Sequence, residues 1–91
     1  MGKRTWPPWW AWELRFDSHL LKRMPERRFT EVDVRLMLED AAGFRRDIEE
    51  GRWVVLTRHS GRAWEVIVEP DFDAQELWVI TAYGIRERRD E

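Results

Sequence analysis

Residues 18–30 read SHLLKRMPERRFT, and this stretch decides the fold of the N-terminal half of the chain. Its spacing predicts a short helix over residues 19–24, with Asp17 in position to cap the start of the helix. Pro25 is expected to end that helix, because proline cannot continue the backbone hydrogen bonds of a helix interior. Thr30 then suits the N-cap of a second helix. The stretch therefore predicts a helix, a tight turn and a second helix.

Four basic side chains make this stretch chemically distinctive. His19 and Arg23 are four residues apart, so on a helix they share one face. Arg27 and Arg28 follow in the predicted turn. The imidazole could act as a general acid or base while the guanidinium groups hold a phosphate. In the plainer interpretation His19 is an exposed or capping residue, Arg23 is a solvated surface charge and Arg27 pairs with Glu31. For His19 and Arg23 spacing alone favours this interpretation, since such pairs are common on helices.

In the rest of the chain, apolar and polar residues alternate mainly with the two-residue period of a strand. Apolar and polar residues alternate from Trp9 to Phe16, which predicts a first strand there. Gly43 is expected to end the second helix. Further strands are predicted at 44–48, 53–57, 63–68 and 77–83. Helices segregated from strands indicate an α+β domain, with two helices packed on one face of a three- to four-stranded antiparallel sheet.

Length and composition indicate one small domain. A chain of 91 residues has room for a single core, which we expect over residues 9–84. Residues 1–8 are expected to be a disordered or extended Trp/Pro-rich segment, and residues 85–91 a charged tail. With no cysteine and two histidines, no disulfide, metal site or cofactor is expected. The chain has neither an apolar run long enough for a membrane span nor an export signal, which predicts a cytoplasmic protein.

The charge is high but balanced. The 16 basic and 18 acidic residues give a net charge of −2, unlike a strongly basic nucleic-acid binder. Arginine outnumbers lysine 14 to 2, and arginine is the favoured side chain for bidentate phosphate contacts. A GC-rich genome would explain that bias equally well.

Three further polar side chains are candidates for contact with RNA. Tyr83 shares a face of the last predicted strand with Thr81, and its hydroxyl could bind a phosphate or take part in proton transfer. Arg58 and Arg62 flank the hairpin turn at residues 60–61 and could contact a nucleic-acid backbone. A tyrosine that closes the core and a solvated hairpin tip are the commoner outcomes.

The seven tryptophans divide into two groups. Those within predicted strands are expected in the core: Trp53, Trp64 and Trp78. The N-terminal ones are too many to bury together in so small a domain, so some are expected to form a surface for a protein partner or for dimerisation. The candidates are Trp6, Trp9 and Trp10. Stacking on the bases of single-stranded RNA is a third option.

The motif His19-x-x-x-Arg23-Met24-x-x-Arg27-x-Phe29-Thr30-x-x-Asp33-Val34 resembles a family of small uncharacterised bacterial domains. Its members typically have a strand, a helix with this H-x3-R-M-x2-R pattern, a capped second helix and a hairpin sheet. Their last strand has a T-x-Y-like ending, here Thr81-Ala82-Tyr83. The family is similar to the RelE and BrnT toxins and, more distantly, to the barnase–EndoU–colicin–RelE ribonucleases. The likeness covers about residues 12–84.

The resemblance implies a RelE-like fold and a metal-independent endoribonuclease toxin of a bacterial toxin–antitoxin pair. The ribose 2′-hydroxyl would attack the adjacent phosphate, with His19 as the proton-transfer residue. Arg23 and Arg27 would hold the phosphate, and Tyr83 would assist positioning. The implied partners are RNA, in some systems on the ribosome, and an antitoxin protein. The alternatives are a catalytically silent RelE-like module that binds or regulates a protein, and a phage or mobile-element accessory protein.

Overall fold

The computed structural model describes residues 6–85 and shows an α+β domain, which confirms the predicted fold class. The elements in chain order are a 3₁₀-helical turn Pro8–Ala11, β1 Glu13–Phe16, α1 Ser18–Arg27, α2 Glu31–Glu39, β2 Gly43–Arg46, β3 Trp53–His59, β4 Arg62–Asp71 and β5 Glu76–Gly84. The strands form one mixed sheet of five in the order β1-β5-β4-β3-β2. β1 pairs in parallel with β5, and all other neighbours are antiparallel.

The first predicted strand is wrong in its N-terminal half. The segment Pro8–Ala11 is a 3₁₀-helical turn, and β1 begins only at Glu13. Proline suits the first position of a helix, because the N–H that it lacks would have no partner there. The alternating tryptophans therefore reflect packing of a helical turn and not a strand. Within the expected disordered segment 1–8, Trp6 stacks on Trp10 with ring centroids 4.4 Å apart, and residues 1–5 lie outside the described part.

The helix α1 starts as predicted but ends later. The Asp17 side chain accepts a hydrogen bond from the backbone N–H of His19 and so caps the helix. The helix continues through Pro25 to Arg27, so the prediction that Pro25 ends it is wrong. The carbonyl that Pro25 leaves without a helical partner belongs to Leu21, which is exposed, so water can solvate it. Arg28 then closes the helix in the left-handed region with φ of 60°.

The second helix, α2, begins at the predicted N-cap but ends at a C-cap that was not predicted. Thr30 and Asp33 form a reciprocal capping box, in which each side chain accepts from the backbone N–H of the other residue. The C-cap is Asp40 and not a residue next to Gly43, which instead begins β2. Both helices pack on one face of the sheet over the core residues Leu20, Met24, Phe29, Val34, Met37, Leu38, Val55, Trp64, Val66, Val68, Leu77, Val79 and Ala82.

The helix α1 lies along β5, and the candidate functional site forms between these two elements. β1 stops at the register pair Phe16–Val79, so beyond that point no strand of the described chain borders β5 on the side opposite β4. The helix α1 lies there instead. The backbone N–H of Asp17 donates to the carbonyl of Val79 at 3.0 Å, and Nη1 of Arg27 donates to the carbonyl of Ala82 at 3.1 Å. The basic face of α1 is thereby held beside an edge of the sheet. Neither helix within residues 6–85 is long and apolar enough to cross a membrane.

Candidate functional site

Three of the candidate residues line one groove. His19, Arg23 and Arg27 are successive i, i+4 positions of α1, and all three face an open groove of about 430 Å³ against Ile80 and Thr81 of β5. We call it the histidine groove. The shared helix face was predicted from spacing alone. The strand on its other side follows from the fold, because α1 takes the place at the edge of β5 that β1 vacates.

The imidazole of His19 is available for proton transfer. Its side chain is 87% exposed, and Nδ1 lies 3.5 Å from Oδ2 of Asp17. In the neutral tautomer that carries its proton on Nδ1, Nε2 has a free lone pair that can accept a proton. The same carboxylate oxygen accepts from the backbone N–H of His19 at 3.0 Å and is thereby held in place. His19 therefore combines an exposed imidazole with a carboxylate close to Nδ1.

The two arginines of the histidine groove differ in how firmly they are held. Arg27 donates through Nη1 to Oγ1 of Thr81 at 3.2 Å and to the carbonyl of Ala82 at 3.1 Å. Both acceptors are neutral and both bonds use one nitrogen, so the charge is not cancelled and Nε and Nη2 can still bind an anion. Arg23 is exposed and makes no hydrogen bond or ion pair with any residue in 6–85. The groove thus offers one fixed and one adjustable guanidinium.

Sequence reasoning missed Arg52 as part of this groove. Arg52 lies just before β3 and lines the groove. Its Nε donates to Oε1 of Glu69 at 2.9 Å, and this hydrogen bond raises the pKa of Arg52. The same carboxylate forms an ion pair with Arg52 and offsets part of its charge. No local pattern places residue 52 near α1, so nothing in the sequence could have found it.

Tyr83 lies in a neighbouring groove. That second groove, of about 380 Å³, is lined by Arg27, Arg62, Trp64, Tyr83, Gly84 and Ile85, and we call it the tyrosine groove. It shares Arg27 with the histidine groove and does not include His19. The Tyr83 hydroxyl donates to Oε1 of Glu65 at 2.9 Å. Burial and, second, this hydrogen bond raise the pKa of Tyr83, so the phenol stays protonated at neutral pH and is no general base.

We expect Tyr83 to contribute stability that is lost in alkali. Its pKa in the folded protein lies above the ordinary value of 10.0, because burial and the Glu65 hydrogen bond favour the neutral phenol. Its contribution is therefore complete below about pH 10 and declines as the pH rises through the folded value. Phenolate absorbance reports Tyr83 directly, because the chain has one tyrosine. A titration midpoint at or below that of free tyrosine, or an alkaline unfolding profile unchanged in Tyr83→Phe, would contradict this.

The other predicted phosphate contacts are spread out. Arg28 caps the end of α1, and Nη2 of Arg58 donates to the carbonyl of Gly61 at 3.1 Å. Neither lines the histidine or the tyrosine groove, whereas Arg62 lines the tyrosine groove. Of the predicted basic surface, only the residues that line the two grooves remain together, and Arg27 lines both grooves.

The N-terminal tryptophans are not all at the surface. Trp9 is 2% exposed and belongs to the core, so its interpretation as a partner-binding residue is wrong. Trp6 and Trp10 are half-buried, and Trp6 also packs on Phe44 with ring centroids 5.0 Å apart. Their exposed edges remain candidates for a partner contact. Among residues 6–85, no three histidine, aspartate or glutamate side chains are grouped so that they could hold a metal ion.

Comparison with known proteins places the chain in a family. A family model described as "Domain of unknown function (DUF4258)" matches residues 16–84, and the chain belongs to that family. The matched range runs from the end of β1 to the end of β5 and so includes both grooves. Expected membership of a family of uncharacterised domains is confirmed, and the relation to RelE-type toxins stays a prediction. No curated protein and no solved structure matches the chain.

Proposed function

We propose that this DUF4258 protein is a metal-independent endoribonuclease toxin of a bacterial toxin–antitoxin pair, related to the RelE and BrnT toxins. The observation that carries the proposal is the convergence of His19, Arg23 and Arg27 on one open groove. An exposed imidazole with a carboxylate behind it and two guanidinium groups beside it is a sufficient set of groups for phosphodiester transesterification.

The reaction transfers one proton through His19 and exchanges one bond at phosphorus. The ribose 2′-oxygen forms a bond to the adjacent phosphorus, and the bond from phosphorus to the 5′-oxygen of the next nucleotide breaks. Nε2 of His19 takes the proton of the 2′-hydroxyl, and the imidazolium then returns a proton to the leaving 5′-oxygen. The products are a 2′,3′-cyclic phosphate and a 5′-hydroxyl.

The two arginines have separate tasks in this mechanism. Arg27 is already held by Thr81 and Ala82, so its remaining donors are oriented before the substrate arrives. Such preorganised donors stabilise the charge that grows on the non-bridging oxygens in the transition state. Arg23 is not held and can close on the phosphate when the strand is bound. Tyr83 does not border this reaction centre, so its role in the proposal is limited to binding the strand beyond Arg27.

A protein partner is the second half of the proposal. A ribonuclease toxin needs an antitoxin that blocks its site or its folding. In this protein the half-buried pair Trp6 and Trp10 offers an aromatic surface of the kind that protein interfaces favour. The same surface supports the second candidate function, a catalytically silent module that acts only by binding a protein.

Induced expression in a bacterial host tests the proposal and separates the two candidates. We expect wild-type protein to arrest growth, and His19→Ala and Arg23→Ala to abolish the arrest at matched soluble levels. The control is Lys22→Ala, because Lys22 is an exposed cation of α1 that does not line the histidine groove. It should arrest growth as the wild type does.

Two outcomes would remove the nuclease proposal. One is a wild-type protein that is harmless at high soluble levels. The other is arrest of equal strength by wild type, His19→Ala and Arg23→Ala, which would indicate toxicity that does not depend on the groove. Either result favours the binding module, whose partner should then be sought with Trp6 and Trp10 as the docking residues.

A further inference from the structure

The tyrosine groove has a different composition from the histidine groove. Its lining combines the guanidinium groups of Arg27 and Arg62 with the indole of Trp64 and includes no carboxylate. Glu65, which the lining residue Tyr83 contacts, is already engaged, since Oε1 accepts from Tyr83 and Oε2 pairs with Arg45 at 3.3 Å. The groove therefore presents donors and positive charge without a matching anion from the described chain.

The indole of Trp64 provides an independent indication of a ligand. Trp64 is only 8% exposed, and its Nε1–H has no acceptor among residues 6–85. No fully buried side-chain nitrogen in this part of the chain lacks a partner, so this N–H reaches solvent. It does so next to Gly84, where an added Cβ would lie 3.2 Å from Nε1. The same Cβ would lie 3.3 Å from Cε2, so glycine lets the backbone pass close over the nitrogen side of the indole ring. The N–H itself remains a donor that the described protein does not use.

The arginines approach the same space from two elements. Arg27 comes from the end of α1 and is fixed through Nη1 by the neutral oxygens of Thr81 and Ala82. Arg62 begins β4, is exposed, and forms no ion pair within the described residues. Two guanidinium groups and one N–H that converge from different directions suit a tetrahedral anion with several acceptor oxygens.

We propose that the tyrosine groove binds a second phosphate of the RNA strand, next to the one cleaved in the histidine groove, through Arg27, Arg62 and the Trp64 indole N–H. This inference rests on the proposed function for the identity of the ligand. The two grooves follow one another along β5 and share Arg27, as successive phosphates follow one another along a strand. Substrates with a phosphate beyond the scissile one gain a charge-assisted contact that a dinucleotide lacks.

The indole N–H resonance of Trp64 tests the site without any need for cleavage. A spectrum of ¹⁵N-labelled protein shows tryptophan indole N–H signals, and Trp64→Phe assigns the relevant one. The probes are inorganic phosphate and a deoxythymidine tetranucleotide, which lacks the 2′-hydroxyl and stays intact. We expect the Trp64 signal to shift with both probes. The tetranucleotide affinity should fall about tenfold in Arg62→Gln, the loss of one charged hydrogen bond.

Two further variants complete the test. Gly84→Ala should weaken the Trp64 shift while both arginines remain, because its Cβ would lie 3.2 Å from Nε1 and 3.3 Å from Cε2 and would displace the indole. Arg58→Gln is the matched control, since Arg58 lies in the same hairpin outside the groove, and it should bind as the wild type does. A Trp64 signal that moves with neither probe, or that moves equally in wild type, Arg62→Gln and Gly84→Ala, would overturn the second phosphate site.

The outcomes also distinguish this inference from the proposed function. Suppose that the protein cleaves RNA, and that Arg62→Gln cleaves dinucleotides and longer strands as the wild type does. The nuclease proposal is then supported and the second phosphate site is not. If no RNA is cleaved while the Trp64 shift depends on Arg62, the nuclease proposal fails and the phosphate site stands.

Discussion

Replacement of His19 by alanine is expected to lower the single-turnover rate of RNA cleavage about 10²–10⁴-fold, the usual contribution of a general acid–base residue. The imidazole is exposed and Asp17 lies behind it, so the substitution removes a proton acceptor without opening the core. Arg23→Ala should lower the rate about 10²–10³-fold if its guanidinium stabilises the transition state as a charged donor does.

The control for these rates is Lys22→Ala, which removes a positive charge from α1 outside the histidine groove. Its rate should stay close to that of the wild type. If His19→Ala cleaves RNA as fast as the wild type, His19 takes no part in proton transfer. If Lys22→Ala loses as much rate as Arg23→Ala, general electrostatic attraction and not the groove explains the activity.

Replacement of Trp9 by alanine is expected to destabilise the domain by about 3–5 kcal/mol, the range for removal of a large core aromatic side chain. Trp9 is 2% exposed. Its ring packs against Trp53 and Phe44 with centroids 5.7 and 6.2 Å away, and against Trp10 at 5.9 Å. A loss of this size is a large part of the stability of a small domain, so the variant should be largely unfolded in mild denaturant.

Urea unfolding at neutral pH measures this loss, and Phe72→Ala provides the matched control. Phe72 is also an aromatic residue that contacts a tryptophan, with ring centroids 5.2 Å from Trp12, but Phe72 as a residue is 65% exposed. Its replacement should cost far less. Equal losses for Trp9→Ala and Phe72→Ala would show that the 3₁₀-helical turn does not close the core.

The chemistry of the site was predictable from local spacing, and its surroundings were not. The positions of His19 and Arg23 follow from the period of one helix, which extends through Pro25 to include Arg27. The other wall of the histidine groove depends on the parallel pairing of β1 with β5, between segments about 60 residues apart. Such pairing is set by burial of whole faces and carries no local pattern, so the contributions of Thr81 and Arg52 could not be foreseen.

Two local errors have clear physical causes. Alternation of tryptophans with smaller residues suggested a strand from Trp9, but Pro8 starts a helical turn and places Trp9 in the core. Pro25 was expected to end α1, yet the exposed position of Leu21 lets water satisfy the carbonyl that proline leaves free. In both places tertiary packing and solvation decide between local conformations that the sequence pattern leaves close in energy.

The measurement that tests the central claim most directly is end-group analysis of an RNA oligonucleotide incubated with purified protein in excess chelator. The same oligonucleotide with one 2′-deoxy sugar at the cleavage position serves as the paired substrate. We expect cleavage of the all-ribose strand to a 2′,3′-cyclic phosphate and a 5′-hydroxyl, no cleavage at the 2′-deoxy position, and no products with His19→Ala. Intact RNA at high protein concentration, or cleavage at the 2′-deoxy position, would contradict the proposed mechanism.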